Sequence, residues 1–153
     1  MTADRSAAHP VFWERAIELA ERGRGLTSPN PTVGAVLVRD GEIVGEGWHR
    51  RHGELHAERE ALADAARRGR DPRGATAYVT LEPCAHHGTQ PPCADALIEA
   101  GVARVVIGCD DPTGKTAGIG PERLAAAGIA VEWAEGEPAV RCRGLVQDFR
   151  KRA

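Results

Sequence analysis

The chain contains no apolar run near the ~18 residues that a membrane-spanning helix needs, so none is expected in its 153 residues. Aromatic residues are scarce: three Trp, two Phe and one Tyr make up 4% of the sequence. Neither charge is in excess, since 20 Lys and Arg face 22 Asp and Glu for a formal net charge of −2. A nucleic-acid groove calls for basic surface interleaved with aromatic platforms, so nucleic acid is not an expected partner. Residues 1–10 include Asp4 and Arg5 but no apolar core, which argues against a secretory signal. Cysteine is limited to four residues. Without an export signal these read as metal-binding or catalytic thiols in a reducing, cytoplasmic setting, not as a disulfide framework. Internal repeats, low-complexity tracts and linker-like composition shifts are also missing. One domain over 1–153 is the expected organisation, and 42% hydrophobic residues suffice for a buried core.

What is present alternates between two periods. Phe12, Ala16, Leu19 and Ala20 fall at helical spacing and predict a helix over 11–24. Ser28-Pro29-Asn30-Pro31 is a stiff loop. The valine-rich run 32–39 reads as a strand buried on both faces, and Asp40-Gly41 turns it into a second strand, 42–48. Ala57, Ala61, Leu62 and Ala65 place a helix over 56–68. A third strand follows at 75–81. Pro91-Pro92 can open the next helix, because first-turn amides have no intrahelical partner to lose; it stops at Gly101. A strand at 103–109, a helix at 121–127, a strand at 129–133 and a helix at 137–152 complete the chain. Such alternation predicts an α/β fold with helices on the faces of one sheet.

The rarer residues cluster. Of six histidines, His49, His52, His56, His86 and His87 share a stretch with Cys84 and Cys93. His56-Ala57-Glu58 opens a helix, Pro83-Cys84 follows the third strand, and Cys93 opens another helix. One imidazole and two thiolates suit Zn²⁺. Helix N-termini favour the thiolate forms. Zn²⁺ with two thiolates is neutral, and a fourth coordination position left to solvent would acidify a water. Glu58 lies two residues from His56, near enough to carry a proton without binding the metal. An H-x-E motif, then Pro-Cys and a second Cys, is the ordered signature of zinc deaminases; here eight residues separate the cysteines instead of two. Two plainer arrangements use the same residues. The cysteines could be ordinary buried thiols, or His86 or His87 could close a purely structural zinc site. In the second case the chain is a zinc-stabilised binding module and Glu58 has no task. Cys109 and Cys142 read as core or surface residues.

Further segments carry a resemblance. Thr27-Ser28-Pro29-Asn30-Pro31, Val33-Gly34-Ala35-Val36, the residues Gly41 to His49, and His56-Ala57-Glu58 resemble the deaminase domain of riboflavin biosynthesis. So do Thr76 to Cys84, His86, Gly88 and Pro91-Pro92-Cys93, and the likeness extends over about residues 11–135. The resemblance implies a three-layer α/β/α, cytidine-deaminase-like fold with a mixed five-stranded sheet. It implies that His56, Cys84 and Cys93 ligate Zn²⁺, that Glu58 is the general acid and base, and that Asn30, His49, His86 and Asp111 bind substrate. The implied reaction removes the 2-amino group of 2,5-diamino-6-ribosylamino-4(3H)-pyrimidinone 5′-phosphate by hydrolysis. Association into a homo-oligomer and a separate reductase as pathway partner are implied as well.

The likeness has gaps. The family places a basic residue and a threonine before Pro-Pro-Cys, where this chain has Thr89-Gln90. An Asp-Pro-Asn becomes Asp111-Pro112-Thr113. A lost charge-assisted bond weakens binding by about 1.5–3 kcal/mol. Lys115, Arg50 and Arg51 are candidate compensating cations, although solvated loop cations are the plainer reading. A related amino-heterocycle is therefore the alternative substrate.

Overall fold

A computed structural model describes residues 5–23, 32–50, 56–84, 92–110 and 118–152. In chain order these form α1 (Arg5–Arg22), β1 (Gly34–Arg39), β2 (Glu42–Trp48), α2 (Ala57–Arg67), β3 (Thr76–Val79), α3 (Cys93–Ala100), β4 (Arg104–Ile107), α4 (Ile119–Ala126), β5 (Ala130–Trp133) and α5 (Glu137–Arg152). Each element read from the sequence is present, and the larger shifts in bounds fall on α1, α4, β3 and β4. Helix α1 starts at Arg5 and runs through Pro10, not from 11; a proline there removes one backbone donor while the remaining turns continue. Helix α4 starts at Ile119, because Pro121 in its first turn lacks only an amide that would be unpaired in any case. Strands β3 and β4 are shorter than their apolar runs, since the ladder pairs only Thr76–Val79 with Arg104–Ile107.

The sheet order is β2-β1-β3-β4-β5. β1 is antiparallel to both β2 and β3, whereas β3, β4 and β5 are parallel, so the sheet is mixed. Asp40 and Gly41 both take positive φ, 53° and 77°, the two-residue turn whose twist matches a hairpin.

Period-two alternation divides the core. Ala35, Leu37, Ala77, Val79, Val105 and Ile107 pack with residues of α2, α3 and α4. Val36, Val38, Tyr78 and Val106 face the other way, against Phe12, Trp13, Ala16, Cys142 and Val146 of α1 and α5. Three layers follow. Each fully buried large aliphatic side chain contributes about 1.5–3 kcal/mol, and Tyr78 adds ring contacts to Phe12 and Trp13 at 5.4 Å between centroids. Cys109 and Cys142 are both buried core thiols.

Two features fix where α2 begins. Ala57, Ala61 and Ala65 are fully buried, and they lie over Gly45 and Gly47 of β2. A Cβ at Gly47 would stand 2.5 Å from the Ala61 amide nitrogen and 2.7 Å from the Ala57 carbonyl oxygen. Backbone thus presses on backbone, and only glycine fits.

Helix α1 is tied to the same edge by a forked ion pair: Arg15 donates from Nε and Nη2 to the two oxygens of Glu46, each at 2.7 Å. The Arg15 guanidinium holds the Glu46 carboxyl below the ordinary carboxylate range. The pair's stabilisation is therefore present above the unfolded-state value of about 4.3 and is lost as pH falls through the lower folded-state value. Glu46→Gln is expected to cost about 1–2 kcal/mol at pH 7. In urea titrations its deficit against wild type should shrink as pH drops below about 4.

Candidate metal centre

The parallel strands bring their carboxyl ends to one side of the sheet, where open α/β folds place ligands. Three chain segments converge there. His56 is the N-cap residue of α2, in extended backbone with no side-chain capping bond, so its ring is available for another task. Glu58 sits in the first turn of α2 and is 4% exposed. Cys84 lies on the segment that leaves β3. Cys93 is the first residue of α3, after Pro92 at the N-cap.

The donor atoms of His56, Cys84 and Cys93 all lie within 4.8 Å of one another. His56 Nδ1 is 3.2 Å from Cys93 Sγ and 3.9 Å from Cys84 Sγ. A tetrahedral ion with legs of about 2.1 Å to nitrogen and 2.3 Å to sulfur would set nitrogen and sulfur about 3.6 Å apart, which these two separations bracket. The borderline-soft nitrogen and sulfur donors also match zinc in kind. The residues present fit the ion.

Electrostatics distinguish the two thiols. Hydrogen bonding with the Cys93 side chain pulls the Cys84 thiol down to about 4, helped by His56 and the Cys93 amide and opposed by burial. That amide, at the N-terminus of α3, donates to Cys84 Sγ at 3.2 Å. The Cys93 thiol is pushed well up, since it supplies the hydrogen bond to Cys84 and is buried. The His56 imidazole is raised by its contact with Cys84. Burial pushes the Glu58 carboxyl up to about 7, with the Cys84 charge adding to the effect.

Of the residues expected to contact substrate, His49 is brought to this centre. It is 3% exposed, its ring centroid lies 5.2 Å from that of His56, and its amide bonds the Val33 carbonyl at 3.0 Å. Asn30, His86 and Asp111 lie outside the described residues, as do His87, Thr89, Gln90, Thr113, Lys115 and Arg51. Arg50 is an exposed cation just past β2. It donates to Glu60 at 2.8 Å and stacks over Trp48 at 4.0 Å.

Sequence reasoning passed over three neighbours. Thr80 accepts the Gly34 amide through its hydroxyl at 3.1 Å. Arg59 reaches from α2 to the Pro92 carbonyl at 3.4 Å and so ties the two ligand-bearing helix starts together. Glu82 is a buried carboxylate two residues before Cys84. An acidic residue wedged between an apolar strand and Pro-Cys was the signal for it.

Cys93→Ser should abolish stoichiometric zinc binding, read by elemental analysis after gel filtration. Zinc retention by that variant would move the ion elsewhere.

The geometry agrees with comparisons to known proteins. Residues 6–109 match the family model described as the cytidine and deoxycytidylate deaminase zinc-binding region. The diaminohydroxyphosphoribosylamino-pyrimidine deaminase of Buchnera aphidicola subsp. Schizaphis graminum is 49% identical over 121 residues, covering 79% of this chain and 80% of that protein. The riboflavin biosynthesis protein RibD of Escherichia coli is 61% identical over 120 residues, 78% of this chain and 32% of RibD. The structure of Acinetobacter baumannii RibD, form 2, superposes with a TM-score of 0.87 at 46% identity, over 97% of this chain and 40% of that one. The chain spans about a third of the length of the RibD relatives it matches. By fold, by the arrangement of His56, Cys84 and Cys93, and by these likenesses, the chain belongs to the zinc-binding cytidine and deoxycytidylate deaminase family, in its diaminohydroxyphosphoribosylaminopyrimidine deaminase branch.

Proposed function

We propose that this chain removes the 2-amino group of 2,5-diamino-6-ribosylamino-4(3H)-pyrimidinone 5′-phosphate by zinc-dependent hydrolysis. The observation that carries the proposal is the placement of Glu58: a buried carboxyl beside a His56–Cys84–Cys93 group that a metal ion fits. His56 Nδ1, Cys84 Sγ and Cys93 Sγ would hold the ion. When bound, zinc supplies Lewis acidity that makes water a competent nucleophile near neutral pH. Glu58 takes one proton from the attacking water and passes it to the ring nitrogen, then carries the second from the added hydroxyl to the exocyclic nitrogen, so that ammonia leaves and a ring carbonyl remains. Burial of Glu58 limits proton exchange with bulk solvent, and the nearby N-termini of α2 and α3 favour developing negative charge. His49, with Asn30, His86 and Asp111, holds the ring and its substituents.

A deaminase/reductase from Thermotoga maritima, of which this chain covers 43%, carries both reactions in its name. We assign residues 1–153 to the deamination step and reduction to a separate module. Thr89-Gln90 and Thr113 favour one second reading, a related amino-heterocycle as substrate. Ammonia release from the diaminopyrimidine phosphate, measured beside a panel of amino-heterocycles, decides between them. Turnover of the phosphate with kcat/KM at least about tenfold above the panel, or about 1.4 kcal/mol, is expected. Turnover of another ring alone would reject the riboflavin intermediate.

A further inference from the structure

We propose that Glu82 is a positioning residue for the metal centre, one that sets Cys84 by clamping the segment that carries it against both β4 and α4. The inference rests on the assignment of Cys84 as a zinc ligand. Glu82 is 7% exposed, and a carboxylate so buried needs strong partners. Its Oε2 accepts the Gly118 amide at 2.8 Å. Gly118 is the N-cap residue of α4, so the anion sits on the positive end of that helix, where a charge-assisted bond and the helix dipole act together. The Glu82 backbone amide meanwhile donates to the Cys109 carbonyl at 3.0 Å, just beyond β4. One residue therefore grips the chain on both sides of the connection from β4 to α4.

The next residue extends the clamp. A Cβ at Gly120 would overlap the Pro83 carbonyl oxygen, so the first turn of α4 lies directly on the Pro83-Cys84 backbone. Beyond Pro83, the Cys84 carbonyl accepts the Ala94 amide at 3.0 Å and Cys84 Sγ accepts the Cys93 amide at 3.2 Å. Cys84 is thus suspended between two helix N-termini. Its sulfur is fixed on one side by α3 directly and on the other by α4 through Glu82. Without the Glu82 carboxylate, the attachment of this segment to α4 is left, among the described residues, to the Pro83-Cys84 backbone contact.

Groups that orient metal ligands typically change affinity by about 10–100-fold when removed. Zinc affinity, measured by competition with a chromogenic chelator, is the test, using wild type, Glu82→Ala, Glu82→Gln and Glu46→Gln. Glu82→Ala is expected to bind zinc at least about tenfold more weakly than wild type. Glu82→Gln keeps an oxygen acceptor but loses the charge, so it should fall between them. Glu46→Gln lowers stability through a pair with Arg15 that touches none of the metal-ligating side chains and should leave zinc affinity unchanged, which separates positioning from general destabilisation. The inference is overturned if Glu82→Ala binds within about threefold of wild type, or if Glu46→Gln weakens zinc as much as the Glu82 variants do. Should Glu82→Ala not fold, the glutamine variant decides: zinc weakened by about threefold or more supports the clamp, and less overturns it. Wild type that holds no zinc would fail the metal assignment itself, a result distinct from zinc-replete Glu82 variants.

Discussion

Glu58→Gln should lower kcat by about 10²–10⁴-fold, the usual contribution of a positioned general acid and base, while the chain keeps one zinc and its fold. The amide matches the carboxylate in shape but cannot accept a proton from water. It also removes a buried ionisable group whose charged form is disfavoured by burial, so the variant should be no less stable than wild type. Steady-state ammonia release, elemental zinc and thermal unfolding on one preparation check all three parts. A binding module stabilised by zinc would show no turnover to lose, and a structural role for Glu58 would show as lost zinc or lost stability instead.

Gly47→Ala should be strongly destabilising and should displace the helix whose start carries His56 and Glu58. The added carbon would meet the Ala61 amide nitrogen at 2.5 Å and the Ala57 carbonyl oxygen at 2.7 Å. Backbone atoms in the first half of a helix cannot rotate away as a side chain could, so α2 must shift. Overpacking of this kind costs about 3 kcal/mol, a drop in Tm of roughly 10 °C for a domain of this size. Because the same helix start carries His56 and Glu58, the displacement should also weaken zinc binding. Calorimetry with and without zinc reads both effects. A variant with wild-type Tm and full zinc occupancy would mean that α2 is free to move without disturbing the centre.

Much of this architecture was legible because its signals are local. Asp40-Gly41 states the hairpin turn directly, and Ala57, Ala61 and Ala65 state the buried stripe of α2. The candidate metal group was legible for a related reason: His56 and Cys93 stand at helix starts and Cys84 just past a strand, so their order and spacing carry chemistry without a structure. Other features depend on what lies across the fold. Nothing local says that α1 continues through Pro10, since proline punctuates most helices. Strand ends at Val79 and Ile107 are set by where partners stop pairing, not by where apolar residues stop. Gly45 and Gly47 point to one face of β2, a hint of close approach, but the helix that they admit is known only from the packing. Glu82 was the clearest omission. Its bond to Gly118 joins residues 36 apart in sequence, and no period or motif spacing announces such a contact. His49 was reached through family resemblance; its ring contact with His56 was not deducible from spacing.

X-ray absorption at the zinc edge of the loaded wild-type chain tests the central claim most directly. The account predicts two sulfurs at about 2.3 Å, one imidazole nitrogen and one solvent oxygen at about 2.0–2.1 Å, with the same shell in Glu58→Gln. A second imidazole, a third sulfur, or a shell that changes when Glu58 is replaced would contradict it.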